Sequence, residues 1–102
     1  MKSTLIEIEE VKKAAIVLRA LNHKLRQEML YLLEIKKSMN VSDIYLAMRL
    51  EQSVCSQHLG ILRKAGIVGI KPEGKNRYYY INHPRVDEIN GLAKALVAND
   101  LP

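Results

Sequence analysis

The chain has 102 residues, with 16 Lys and Arg against 11 Asp and Glu, a net charge of +5, and neither Phe nor Trp. That length suits one domain over residues 1–102, with a core resting on Leu, Ile, Val, Met and Ala. A lone cysteine excludes an internal disulfide and a Cys-pair metal site, no apolar run reaches the ~18 residues of a membrane span, and Glu7, Glu9 and Glu10 interrupt the start too early for a signal peptide.

Residues 4–21 are the first predicted helix. Leu5, Ile8, Val11, Ala15 and Leu18 recur at three- and four-residue steps, and Ile16 and Val17 widen the stripe. Asn22 is the expected N-cap of a second helix, His23 to Ile35, whose inward face would be Leu25, Met29, Leu30, Leu32 and Leu33. Lys36 and Lys37 suit its C-terminus, where cations complement the helix dipole. Asn40 opens a third, short helix, Val41 to Met48, with Asp43 completing a variant capping box. Ile44, Ala47 and Met48 are expected to point inward, and Arg49 to Gln52 make the turn.

The fourth helix is expected from Ser53 to Ala65, followed by Gly66 as a residue free to take positive φ. Cys55, Leu59 and Leu62 share one face of it, and Ser53, Ser56, Gln57, Gly60 and Lys64 lie largely on the other. Ile67 to Lys71 alternates as a strand, Pro72 to Asn76 forms a loop, and Arg77 to Ile81 returns with Tyr78 and Tyr80 on one side and Tyr79 on the other. A last helix starts at Pro84 and carries the stripe Val86, Ile89, Leu92, Ala93, Leu96 and Val97. The expected fold is mainly α with a small β-hairpin, in the order α-α-α-α-β-β-α of a winged helix-turn-helix.

An amphipathic helix followed by a basic hairpin suits double-stranded DNA, with the helix in the major groove and the hairpin on the adjacent backbone. The charge agrees. The basic excess falls within residues 1–81, and residues 82–102 are slightly acidic. Between residues 49 and 77, Arg49, Arg63, Lys64, Lys71, Lys75 and Arg77 face only Glu51 and Glu73. These cations are candidates for phosphate contact. Ser53, Ser56 and Gln57 are candidates for base edges, and Val54 for a thymine methyl. Asn76 is a turn residue first and a groove contact second.

The same residues resemble the ArsR/SmtB family of small bacterial repressors, over roughly residues 16–98. Ala20-Leu21 with Arg26 and Leu30 resembles the start of the family's second helix. Gln52-Ser53, Ser56, His58-Leu59 and Leu62 resemble its recognition helix. Lys64 to Val68 resembles the helix-to-strand join, and Gly74-Lys75 with Tyr78-Tyr79 the wing. The resemblance implies a cytoplasmic, homodimeric DNA-binding repressor and a near-palindromic operator. Its terminal helices would pair through Leu5, Ile8, Val11, Ala15, Leu18, Ile89, Leu92, Ala93 and Leu96. Wide apolar stripes on those helices agree with that. His58 matches a family position and joins the DNA-contact candidates, although a half-buried structural histidine is the plainer reading.

Departures from the family are equally informative. Where many relatives carry a metal-binding Cys-x-Cys, this chain has Asn40 and Ser42, poor ligands for soft metals. No metal, cofactor or effector is therefore assigned. Cys55 reads as a small buried hydrophobe, with a redox switch as the alternative. Tyr78 to Tyr80 read as strand packing rather than a base-stacking platform. No nucleophile with a placed base, glycine-rich phosphate cradle or paired carboxylate suggests an enzyme. Two rivals stand beside the sequence-specific regulator: a winged-helix protein-interaction module without specific DNA binding, and a nonspecific nucleoid-type binder.

Overall fold

Among the described residues, apolar spacing at three and four residues produces five helices, and the alternating run after Gly66 produces a hairpin. The computed structural model describes residues 7–98. In chain order it contains α1 (Ile8–Leu21), α2 (Lys24–Lys36), β1 (Met39–Asn40), α3 (Val41–Met48), α4 (Gln52–Lys64), β2 (Val68–Glu73), β3 (Asn76–Ile81) and α5 (His83–Ala98). Leu5, expected on the first helix, lies outside the described residues.

The core is where the helical faces and the sheet meet. Met29 and Leu33 from α2, Ile44 from α3, Cys55, Leu59 and Leu62 from α4, and Ile67 before β2 are all fully or almost fully buried. Ala20, Val68 and Ile89 close its edges. Each large aliphatic side chain removed from water contributes roughly 1.5–3 kcal/mol, so this cluster holds three helices and the sheet to one centre.

The sheet has three strands in the order β1-β3-β2, all antiparallel. Strand β1 has no local sequence signature, because two residues cannot display an alternation. Met39 pairs with Tyr79 and Asn40 with Tyr78. The hairpin is also longer than expected. Glu73 pairs with Asn76, which leaves a two-residue turn, Gly74-Lys75, with Gly74 at φ +65°. Pro72 suggested a loop, but β2 is an edge strand, and an edge tolerates a residue without an N–H.

Several boundaries shift for local reasons. The N-cap of α2 is His23, not Asn22. His23 is extended (φ −152°, ψ 124°) and its Nδ1 accepts from the Leu25 N–H at 3.1 Å. Asn22 is instead the C-cap of α1, its N–H donating to the Leu18 carbonyl. The Asn40 cap is as expected, its Oδ1 accepting from the Asp43 N–H at 2.8 Å. Ala47 is exposed rather than inward, and Ile44 alone of α3 is fully buried. Helix α4 starts one residue early at Gln52, and its last residue is Lys64. α5 likewise starts one residue before Pro84, at His83.

The end of α4 is a Schellman motif. Gly66 N–H donates to the Arg63 carbonyl at 2.9 Å, and Ile67 N–H to the Leu62 carbonyl at 3.0 Å. Gly66 has φ +78°, and a Cβ there would also meet the Arg85 side chain at 3.4 Å. Gly66→Ala is expected to lower unfolding free energy by about 1–2 kcal/mol, because an L side chain is strained at positive φ. Urea denaturation of the two proteins measures it, and an unchanged midpoint would contradict the motif's role.

Candidate nucleic-acid interface

Helix α4 divides sharply between a buried and a wet face. Cys55, Leu59 and Leu62 are each 0% exposed. Ser53, Ser56, Gln57, Gly60, Arg63 and Lys64 are exposed, and Val54 is half-buried. The α3–α4 turn places this face outward. Arg49 ends α3 in the left-handed conformation (φ 57°, ψ 44°), and Leu50 N–H returns to the Tyr45 carbonyl at 2.9 Å. The expected base-edge candidates Ser53, Ser56 and Gln57 thus share one accessible surface.

His58 is positioned differently. It is half-buried, its Nδ1 lies 3.2 Å from Nη1 of Arg26, and its ring centroid is 4.8 Å from that of His23. A guanidinium only donates, so Nδ1 must accept, and the ring is neutral with its proton on Nε2. Burial, then His23 and Arg26, push the His58 pKa below its ordinary value.

Arg26 is the residue whose role sequence reasoning did not develop. It is 9% exposed. Its Nε donates to the Ala20 carbonyl at 2.7 Å and its Nη2 to the Arg19 carbonyl at 3.0 Å. Gln27 Nε2 takes the Leu21 carbonyl at 2.8 Å. With Asn22 N–H on Leu18, the open carbonyl end of α1 is fully partnered. The signal was present in the spacing, since Arg26 precedes Met29 and Leu33 at helical steps on the buried face of α2.

On the hairpin, cross-strand pairing fixes which side chains share a side. Lys71 lies opposite Tyr78, and Pro72 opposite Arg77. Lys71 and Arg77 therefore leave from opposite faces, with Lys75 at the tip; all three are exposed, as is Asn76. Tyr80 crosses over Gly69, its cross-strand partner, and leaves no room for a Cβ there. Among the described residues, none of Arg49, Arg63, Lys64, Lys71, Lys75 and Arg77 takes part in an ion pair. The first turn of α5 secures the other end of α4. Asn82 Nδ2 donates to the Gly66 carbonyl at 3.0 Å, and Arg85 Nε to the Ala65 carbonyl at 3.3 Å. His83 and Glu34 meet at 2.6 Å, a contact that joins α5 to α2 and lowers the Glu34 pKa.

The described apolar residues expected at a dimer seam separate into three groups. Ile8, Val11, Leu18, Leu92 and Leu96 are exposed; Ala15 and Ala93 are half-buried; Ile89 is already covered within the protomer. Between α1 and α5 lies an open apolar groove of about 500 Å³, walled by residues that include Val17, Leu18, Leu92 and Leu96. Asn40, at the place where some relatives have a metal-binding cysteine, is engaged in capping α3. Among the described residues no three His, Cys, Asp or Glu side chains cluster as metal ligands, and no helix is long and apolar enough to cross a membrane.

Comparison with known proteins agrees with this geometry. A family model described as bacterial regulatory protein, arsR family, matches residues 23–69. An HTH-type transcriptional regulator of Methanocaldococcus jannaschii is 39% identical over 89 residues, covering 87% of this chain and 100% of that protein. The transcriptional repressor PagR of Bacillus anthracis is 32% identical over 82% of this chain and 84% of its own length. The crystal structure of PagR superposes with a TM-score of 0.67 at 30% identity, covering 88% of this chain and 99% of that one. HlyU of Vibrio cholerae, a transcriptional activator, is 27% identical over 84% of this chain and 82% of its own length. Its structure gives a TM-score of 0.66 at 27% identity, covering 88% of this chain and 97% of that one.

Two measurements probe the site. The folded state holds His58 neutral, so the unfolded chain binds the proton more readily. Stability is then complete above the ordinary histidine value of about 6.5 and is lost as pH falls through it toward the lower folded value. The melting temperature should drop over that window, and His58→Gln, which keeps an acceptor for Arg26, should flatten the drop; an equal drop in both proteins would exclude His58 as the cause. Cys55 is fully buried, and burial pushes its thiol pKa up, away from the reactive thiolate. Peroxide treatment is expected to leave DNA affinity unchanged, and a loss reversed by thiol reductant would reinstate the redox switch.

Proposed function

This chain belongs to the ArsR family of bacterial regulatory proteins and is a DNA-binding transcriptional regulator; from that premise we propose that it acts in the cytoplasm as a homodimeric repressor on an approximately palindromic operator. The observation that carries this reading is the outward polar face of α4, flanked by cations that have no ion-pair partner among the described residues.

In the proposed complex α4 lies in the major groove. Gln57 bonds an adenine through N6 and N7, Ser53 and Ser56 reach neighbouring base edges, and Val54 offers its accessible edge to a thymine methyl. Arg49, Arg63, Lys64, Lys71, Lys75 and Arg77 take phosphates, with Asn76 beside them at the wing. His58 serves from behind, holding α4 to Arg26. The second copy covers the exposed apolar residues of α1 and α5. A two-fold axis there sets the distance between two copies of α4 and asks for two symmetric half-sites.

Repression follows from occupancy, since a dimer seated on a promoter blocks other proteins from it. The similar protein PagR is a transcriptional repressor, which supports this reading. A protein-interaction module would have no use for so many cations without an ion-pair partner among the described residues beside a polar helix face, and a nonspecific binder would not need the uncharged Ser53, Ser56 and Gln57.

Selection of bound duplexes from a random pool is expected to return a two-fold symmetric sequence. On that duplex, Gln57→Ala should reduce affinity by roughly five- to 150-fold, equivalent to the 1–3 kcal/mol of one bidentate base contact, and random DNA should be affected far less. Lys75→Ala should weaken both duplexes about equally and reduce the slope of log affinity against log salt by about one. An intact specificity ratio in Gln57→Ala would remove Gln57 as a base reader.

A further inference from the structure

Gly60 is a glycine that the protomer itself does not require. It sits inside α4, is exposed, and a Cβ added there would meet no heavy atom within 4 Å. Its backbone is ordinary helix, unlike Gly66 and Gly74, which need positive φ, or Gly69, which lies under Tyr80. Glycine is the poorest helix former after proline, because it loses the most backbone freedom on folding. Any other small residue would fit the fold at least as well. Gly91 in α5 is equally exposed and unhindered, but Gly60 lies on the polar face of α4 beside the base-edge candidates, so what its missing side chain provides there is sought outside the protomer.

Its neighbours indicate what lies there. Gly60 floors an open concavity whose walls are Gln57, Ile61, Arg63 and Lys64. Gln57 is one turn earlier on the same face, and Arg63 and Lys64 are one turn later. Neither cation is in an ion pair among the described residues. A bare stretch of helix between a base-reading amide and two free cations suits a sugar–phosphate strand. The sugar is compact and apolar enough to lie against an uncovered backbone, and its phosphate falls within the field of the two cations.

We infer that Gly60 sets the depth of α4 in the major groove: a deoxyribose-phosphate edge of the operator rests on its bare backbone, and only at that depth does Gln57 reach its base. This rests on the assignment of α4 as the groove helix. A methyl group at residue 60 holds the helix away from the duplex. Close contacts to bases suffer first, whereas the longer-ranged attraction between cations and phosphates persists.

The test is Gly60→Ala, measured by thermal melting and by fluorescence anisotropy. The probes are the duplex that wild-type protein selects from a random pool and a scrambled duplex of equal length. The variant is expected to melt at or above the wild-type temperature. It should lose about tenfold or more in affinity for the selected duplex and less for the scrambled one, with the salt slope unchanged. Fold damage lowers the melting temperature, so it cannot mimic that combination. Unchanged affinity for the selected duplex overturns the inference, and so does a lower melting temperature, which would show that the fold needs the glycine after all. A wild-type protein that selects no sequence is a separate failure: it removes the groove-helix reading itself, before any variant is made.

Discussion

One buried guanidinium organises this protein. Arg26 leaves α2, enters the protein interior, and meets the end of α1 and the middle of α4 at one point. Among the described residues it has no carboxylate partner. Taking a charge out of water costs several kcal/mol even after relaxation. Here the compensation is the negative end of the α1 dipole, concentrated on carbonyls that have no partner within the helix. Only arginine combines a permanent charge with donors spread over a fixed plane, so that two carbonyls and an imidazole are served together. Lysine would bring a single point of charge, and methionine would leave the Ala20 and Arg19 carbonyls open. The angle between α1 and α4 is thereby set by hydrogen-bond directions as well as by packing.

The opposite end of α4 is held in a similar way. The carbonyls just past its last turn, Ala65 and Gly66, are taken by Arg85 and Asn82 around the start of α5. The helix that presents the polar face is thus tied to α1 through His58 and Arg26 and to α5 through its own C-terminus. Those two helices also carry the exposed apolar residues and bound the groove between them. A rigid-body shift of either terminal helix has a hydrogen-bonded path of one or two residues to α4. Such a path is the physical requirement if, as in the proposed dimer, binding geometry depends on how two copies pack.

Much of this was legible in the residues because separate signals agreed. Cys55, Leu59 and Leu62 at helical spacing identified the buried side of α4, and by subtraction the wet one. Asn40 with Asp43 marked a helix start, and the alternation from Ile67 to Lys71 revealed a strand. The errors came where one signal stood alone. Asn22 and His23 both precede a helix, and composition favours asparagine as a cap, but only His23 has extended backbone there. Pro72 indicated a loop because its place on an edge strand depends on the order of the sheet, which no local pattern encodes. Strand β1 exists only through its pairing with β3. Ala47 is small enough to be tolerated on either face, so its position carried little information.

The wing illustrates how register converts a list of charges into a shape. In the sequence Lys71, Lys75 and Arg77 form one basic cluster. In the sheet, Lys71 and Arg77 are on opposite sides of a ribbon one strand pair thick, and Lys75 caps its tip. A flat anionic surface can engage only one side of such a ribbon at a time. A ridge of phosphates that the hairpin straddles, or a groove that it enters, engages both sides and the tip together. Strand Tyr78 adds stiffness, since it is half-buried against Asn40 on β1 and keeps the base of the ribbon attached to the start of α3. Because Asn40 also caps α3, the base of the wing and the start of the helix-turn-helix are fixed by the same residue. The wing is therefore positioned relative to α3 and α4 before any duplex arrives, and less ordering entropy remains to be lost on binding.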